Sequence, residues 1–348
     1  MARMKAAVMT QVGKIEMQER EIPTPKDNEV LVKVEYVGVC GSDVHYYEHG
    51  RIGNFVVEKP IVLGHECAGT VKEVGKAVTN LKVGDRVALE PGVPCGKCEF
   101  CMTGRYNLCP DVVFMATPPY DGAFVEYVAH PANMAFLLPD NMNTMEGALV
   151  EPLAVGFHAA QQSGASVGQT AAVLGAGCIG LVTMMSLHSM GVKTVYVVDV
   201  IEKRLEKATE LGATAVFNSI EQDACKEIME LTGGKGVDLV FETAGNAITT
   251  QMTSYLVKKG GTVTLVGMSP NPEISYNFGN ILDKEATIKS VFRYRNIYPK
   301  AIQAISAGDI PIKDIVSDIY SFNEVEKAVK YNISNKANVT KIVIEFDK

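Results

Sequence analysis

From residue 170 onward, short apolar runs alternate with longer segments in which Glu and Lys mix with Leu, Ile and Met at helical spacing. The runs fall at 171–174, 194–198, 214–217, 238–242, 262–267 and 287–292, and the helical segments at 202–211, 222–231 and 246–257. Six strands joined by short crossovers predict a parallel, doubly wound α/β sheet. The first ninety residues follow another rule. Val30 to Val37 begins with the apolar–polar alternation of a half-exposed strand. Thr70–Gly75 and Asp85–Leu89 read as further strands, with Gly38, Gly75 and Gly84 as punctuation. After Val39, the run Cys40–Tyr47 starts a turn or short helix. Residues 91–120 are loop-like, and 144–162 form a helical stretch joining the domains, with Glu151 in an apolar neighbourhood. Beyond 294 a short helix, a loop and the strand 340–346 lack a domain's worth of core, so the tail is expected to return to the N-terminal domain.

The stretch 170–192 holds no Asp, Glu, Lys or Arg, which raises the possibility of a membrane span. Four glycines, His188 and strand patterning in its first third favour a strand and helix buried in a parallel sheet. A chain of 348 residues exceeds one ordinary core, so two domains are expected. Hydrophobic content of 47% and charged content of 21% describe a soluble globular protein, and a net charge of −7 gives no nucleic-acid footprint. The N-terminal residues lack the apolar core of a signal peptide, so a cytoplasmic, reduced setting is expected. Eight cysteines then point to metal ligation rather than disulfides.

Gly175, Gly177 and Gly180 form G-x-G-x-x-G between an apolar strand and a helix, and Asp199 ends the next strand nineteen residues later. In that setting the glycines let the backbone approach a pyrophosphate seated on the helix N-terminus. The Asp199 carboxylate suits the ribose hydroxyls of NAD and repels the 2′-phosphate of NADP. Cys95-x2-Cys98-x2-Cys101-x7-Cys109 suits a closed, structural zinc on a lobe without regular structure. An iron–sulfur cluster competes, but the ferredoxin pattern has three residues in the last gap where this chain has seven. Cys40, His65, Glu66 and Glu151 form a second constellation. On residues alone, His65-Glu66 reads more readily as a satisfied structural pair and Cys40 as a buried thiol. Cys67, Cys178 and Cys225 are assigned to packing.

The run Gly64-His-Glu-x2-Gly69-x5-Gly75-x2-Val78 resembles the signature of zinc-containing medium-chain alcohol dehydrogenases. The cysteine loop, Gly84-Asp-Arg-Val and the nucleotide fingerprint follow in that family's order, so the resemblance covers nearly the whole chain. Asp43–Tyr47, Gly50–Gly53, Phe114–Gly122 and Phe292–Tyr294 look like the polyol (sorbitol and xylitol) dehydrogenase branch.

The resemblance implies a GroES-like β-rich catalytic domain (1–153 and 295–348, with a zinc lobe at 91–113) split by a Rossmann domain (154–294), and an active site in the cleft. It implies that Cys40 and His65 bind a catalytic zinc, that Glu66 reaches the metal, and that Glu151 stands where simple alcohol dehydrogenases have a cysteine ligand. Either acid can be the inner-sphere one. Ser42 matches a proton-passing hydroxyl, with His45 nearby. Tyr46, Phe114, Thr117, Glu151, Arg293 and Tyr294 match the substrate pocket. Gly175, Gly177, Cys178, Ile179, Gly180, Asp199 and Arg204 match the NAD site, with Cys178 in place of the commoner proline. The implied cofactors are NAD and two zinc ions per chain, and the implied substrate is a sugar alcohol oxidised at C2. A homotetramer or homodimer is implied, with no nucleic-acid or membrane partner. Sister activities on threonine, polyol phosphates or diols stay open, as does a non-catalytic, crystallin-like role, which the retained ligand set disfavours.

Overall fold

The computed structural model describes residues 2–271 and 273–347, which divide into two compact units. Residues 1–151 and 298–348 belong to the first, and 152–297 to the second. The first unit starts with the antiparallel pair β1 (Arg3–Gln11) and β2 (Lys14–Glu21). β3 (Glu29–Val39) follows and ends in helix α1 (Gly41–His49), whose N-cap is Cys40. β4 (Glu66–Val74), β5 (Arg86–Leu89), β6 (Tyr127–Pro131) and β7 (Ala135–Leu137) are the other strands longer than two residues in its N-terminal part. The apolar positions of β3 (Val30, Val32, Val34, Val37 and Val39) are all buried in one core with Val8, Leu63, Val71 and Leu89. The helical stretch expected over 144–162 is two pieces, Thr144–Ala148 and Val150–Ser163. Asn143 caps the first, its side chain accepting from the Glu146 N–H while the Glu146 carboxylate accepts in return from the Asn143 N–H.

The second unit is a six-stranded sheet, all parallel. Its strands are β8 (Thr170–Leu174), β9 (Thr194–Asp199), β10 (Ala215–Asn218), β11 (Val237–Glu242), β12 (Val257–Leu265) and β13 (Thr287–Ser290). The order is β10-β9-β8-β11-β12-β13. Strand order reverses between β8 and β11, which makes the end of β8 the switch point where such sheets bind ligands. Helix α2 (Cys178–Ser189) follows β8, with Gly180 through Leu187 buried. Burial on all sides explains why this segment lacks charge, as a membrane span would. No helix among the described residues is long and apolar enough to cross a membrane.

The tail holds more regular structure than its sequence pattern predicts. After helix Tyr298–Ser306 come β14 (Val316–Ser321), helix Val325–Ser334 and β15 (Lys341–Glu345). β14 alternates half-buried and exposed residues and has no apolar run to betray it. β15 pairs antiparallel with β3, Ile342 opposite Val39 and Val343 opposite Gly38. The first unit's main sheet therefore runs β7-β5-β4-β3-β15-β14, with β6 also on β3. This order sets three neighbouring strands, β4, β3 and β15, beneath the residues discussed next.

Candidate active site

Two strand ends deliver the ligand atoms. Cys40 follows β3, Glu66 opens β4, and His65 precedes it on a turn through Gly64, whose φ is 85°. Cys40, His65 and Glu66 each offer an atom within 4.8 Å of the other two. Glu151 is buried near this region but is not in that mutually close group. Of the two acids, the geometry gathers Glu66. Thiolate, imidazole and carboxylate are a donor set that fits zinc with three protein ligands and an open position.

Asp43, unassigned by the sequence reading, holds the centre together. It is fully buried; Oδ2 accepts from the Cys40 N–H at 3.0 Å and Oδ1 from the Gly64 N–H at 2.8 Å. The His65 Nδ1 lies 3.8 Å from Asp43 Oδ1. A carboxylate behind a ligating imidazole fixes its orientation and raises its basicity. Burial would lower the His65 pKa, but the charges and hydrogen bonds of Cys40 and Asp43 outweigh it and hold it well above its ordinary value.

Cys95, Cys98, Cys101 and Cys109 bring four sulfurs within 4.8 Å of one another. Cys98 and Cys101 Sγ stand 3.4 Å apart, and Cys95 and Cys101 Sγ 3.9 Å. Zinc–sulfur bonds of about 2.3 Å in a tetrahedron put sulfurs about 3.8 Å apart, so the cluster fits zinc. Backbone N–H groups of Lys97 and Cys98 pull the Cys95 thiol down to about 6, while burial and Cys98 push Cys101 up to about 12. Four thiolates at once need a cation between them. None of the eight cysteines is in a disulfide.

In the second unit, Gly175 takes φ 109° at the end of β8. A Cβ on Gly180 would overlap the Gly175 carbonyl oxygen, whereas one on Gly177 would meet nothing closer than Arg204 at 3.9 Å. The first two facts are packing, and the third is open backbone that a phosphate can approach. Gly177 caps α2 without any side-chain cap bond, so the positive end of the helix dipole faces the glycine turn and favours an anion there. Asp199 accepts from the N–H of Ala176 (2.6 Å), Val200 (2.8 Å) and Ile201 (3.0 Å), so it also ties the glycine turn to β9. These residues fit a dinucleotide.

Among the proposed pocket residues, Tyr46 and Phe114 are buried and Thr117 half-buried in the first unit; Arg293 and Tyr294 lie in the second. The Phe114 ring is 5.8 Å from the His65 ring. Arg293 holds φ at 54°, uncommon for a side chain of this size, and its guanidinium lies 4.9 Å from the Phe292 ring. Ser42 and His45 sit three apart on α1, on one face. The His45 ring meets His49 at 4.6 Å, and its pKa is lowered, chiefly by burial and then by His49.

Glu90 is a second residue that the pattern did not reveal. It is buried; Oε1 accepts from the Tyr106 hydroxyl at 2.8 Å, while Oε2 finds no hydrogen-bond partner. Burial pushes its pKa up to about 7; the Tyr106 bond opposes this, and the Glu151 charge adds to it. Between the ordinary 4.5 and about 7 the folded protein keeps a proton that the unfolded chain has released. Stability from this group therefore falls as pH rises through that window, by up to about 3 kcal/mol, and is flat above it. Glu90→Gln is expected to be more stable than the parent at pH 8 and to lose that part of the slope in urea unfolding from pH 5 to 8. Parallel curves for the two proteins would contradict the assignment.

The comparisons with known proteins agree with this geometry. A family model described as "Alcohol dehydrogenase GroES-like domain" matches residues 26–140, and one described as "Zinc-binding dehydrogenase" matches 178–307. The chain is 46% identical to the sorbitol dehydrogenase of Bacillus subtilis, over 98% of this chain and 97% of that one. It superposes at TM-score 0.96 and 47% identity on an Escherichia coli oxidoreductase/dehydrogenase of unknown specificity, each chain fully covered. A zinc-binding dehydrogenase of Sinorhizobium meliloti, bound to NADP, matches at TM-score 0.91 and 33% identity, over 99% of this chain and all of that one. The chain belongs to the zinc-containing medium-chain alcohol dehydrogenase family, and within it to the polyol dehydrogenase branch.

Proposed function

We propose that this enzyme oxidises a sugar alcohol of five or six carbons at C2 to the ketose, passing the hydride to NAD. Cys40, His65 and Glu66 would hold a catalytic zinc, and Cys95, Cys98, Cys101 and Cys109 a structural one. The observation that carries the reading is the open three-ligand centre backed by Asp43. The likeness to a protein named sorbitol dehydrogenase supports the substrate class. Bound zinc supplies Lewis acidity, which eases loss of the hydroxyl proton. NAD, when bound, would accept the hydride from the alcohol carbon, and the oxygen's proton would be left for this chain's residues to take, giving a ketone, NADH and a proton. Ser42 takes that proton and His45, one turn along α1, passes it outward. Tyr46, Thr117, Glu151 and Arg293 supply the polar partners that several hydroxyls need. Assembly as a homodimer or homotetramer is part of the same reading; exposed Phe278, Leu282 and Ile288 near the edge strand β13 support it.

A panel of alcohols with NAD tests it. A pocket built to hydrogen-bond hydroxyls leaves its own groups unpaired when they are absent. At about 0.5–1.5 kcal/mol for each lost neutral bond, two or three separate xylitol or sorbitol from propan-2-ol by between about fivefold and about two-thousandfold in kcat/KM. If threonine or a polyol phosphate is turned over ten times better, the family stands and the pocket reading falls.

A further inference from the structure

We propose that Lys341 and Gly38 form a clamp that keeps Glu66 a weak, displaceable ligand of the open metal site. Lys341 is 3% exposed and Glu66 1%. The Lys341 Nζ donates to both carboxylate oxygens of Glu66, at 2.7 and 2.8 Å, and to the Val39 carbonyl oxygen at 3.2 Å. The two residues are 275 positions apart and sit on strands that do not pair with each other. β3 lies between them, with Gly38 opposite Glu66 on one side and opposite Val343 on the other. Lys341 must therefore reach across β3, and Gly38 is where the way is clear. A Cβ on Gly38 would overlap Glu66 Oε2 and come within 3.0 Å of its Cδ and 3.1 Å of its Cβ. The φ of Gly38 does not call for glycine, so the space does.

The consequence concerns charge. A free carboxylate beside a thiolate and an imidazole would close round a divalent cation and hold the position that substrate needs. An ammonium that bonds both oxygens withdraws that charge and fixes the carboxylate's seat. Burial makes the pairing strong, since water cannot screen it. Lys341 touches Glu66 and not the reacting atoms, so it is a positioning residue. The inference rests on the reading of Cys40, His65 and Glu66 as ligands of an open site.

The test replaces the open-site metal with cobalt, after mild chelation has emptied that site in the full-length enzyme. K341M is expected to shift the visible cobalt bands, to slow metal release to a chelator at least tenfold, and to lower kcat at least tenfold. K341R, which keeps the charge, restores the wild-type bands. G38A keeps both charges but unseats the carboxylate, and its bands move too. Wild-type bands and wild-type release in K341M overturn the clamp, whatever happens to thermal stability. If K341M does not fold, G38A decides alone: unchanged bands overturn the proposal. Failure of the underlying site reading looks different, because the bands of the wild type and of C40S would then be identical.

Discussion

Cys40→Ser is expected to yield a folded protein with one zinc fewer and turnover reduced by a thousandfold or more. Among the described residues Cys40 is one of three mutually close donors at this site, so its loss leaves an imidazole and a clamped carboxylate, too few to retain a cation. Lewis-acid assistance is worth several kcal/mol, and each 1.36 kcal/mol is tenfold in rate. The fold does not depend on this thiol. Cys40 lies at the N-cap of α1, where its backbone N–H donates to the Asp43 carboxylate and its side chain faces the Asp43 N–H in a capping box that a serine hydroxyl can complete as well. Cys98→Ser should behave in the opposite way. Among the described residues its lobe holds just the short helices Glu99–Met102 and Tyr106–Leu108 and a pair of two-residue strands, Gly92–Val93 and Val113–Phe114, so the metal supplies what a core would elsewhere. Loss of a thiolate there should lower the thermal midpoint by several degrees. In the parent protein a chelator should empty the open site first, because water reaches it and its ligands are fewer. Elemental analysis giving fewer than two zincs per fresh chain, or iron with visible absorbance, is the result that sinks this assignment.

The contrast between the two sites shows what a single chain discloses. The cysteine loop and the glycine turn are local: spacing along the backbone is the site, and chemistry follows from it. The open centre is assembled from Cys40 at the end of one strand and His65 and Glu66 at the start of another, and only the family signature picked those residues out. Its supporting residues gave no local signal. Asp43 sits in a motif that could equally be a helix start, and a capping acid at that spacing is ordinary. Lys341 sits at the head of the last strand, where a lysine beside an exposed edge would be unremarkable. Its role depends on β15 lying next to β3, a pairing between distant segments that periodicity cannot supply. Glu90 ends an apolar strand and looks like a solvent-facing stop until Tyr106 is found on it. β14 escaped for the converse reason: its residues alternate between half-buried and exposed, so no hydrophobic run marks it.

A strong preference for NAD over NADP is the other large effect expected. The Asp199 carboxylate ends β9 beside the glycine turn, 9% exposed, with Oδ2 already bonded to the Ala176 N–H. A phosphate on the adenosine ribose would meet this carboxylate at close range. Two like charges about 4 Å apart cost on the order of 1–4 kcal/mol as the effective dielectric falls from 80 to 20. That is a discrimination between a few-fold and about a thousandfold, and low exposure places it toward the upper end. The NADP-bound relative from Sinorhizobium meliloti shows that the fold as such does not forbid the phosphate, so the burden rests on this side chain. Asp199→Ala would confuse the outcome, since it also frees the Ala176, Val200 and Ile201 N–H groups that shape the turn. Asp199→Asn keeps an acceptor and removes the charge. It should weaken NAD and narrow the NAD-to-NADP ratio of kcat/KM at least tenfold, with little change in thermal midpoint. Equal efficiency of the parent enzyme with both cofactors would remove the repulsion argument altogether. An unchanged ratio in Asp199→Asn would instead move the selectivity to Arg204 and its neighbours on the next helix.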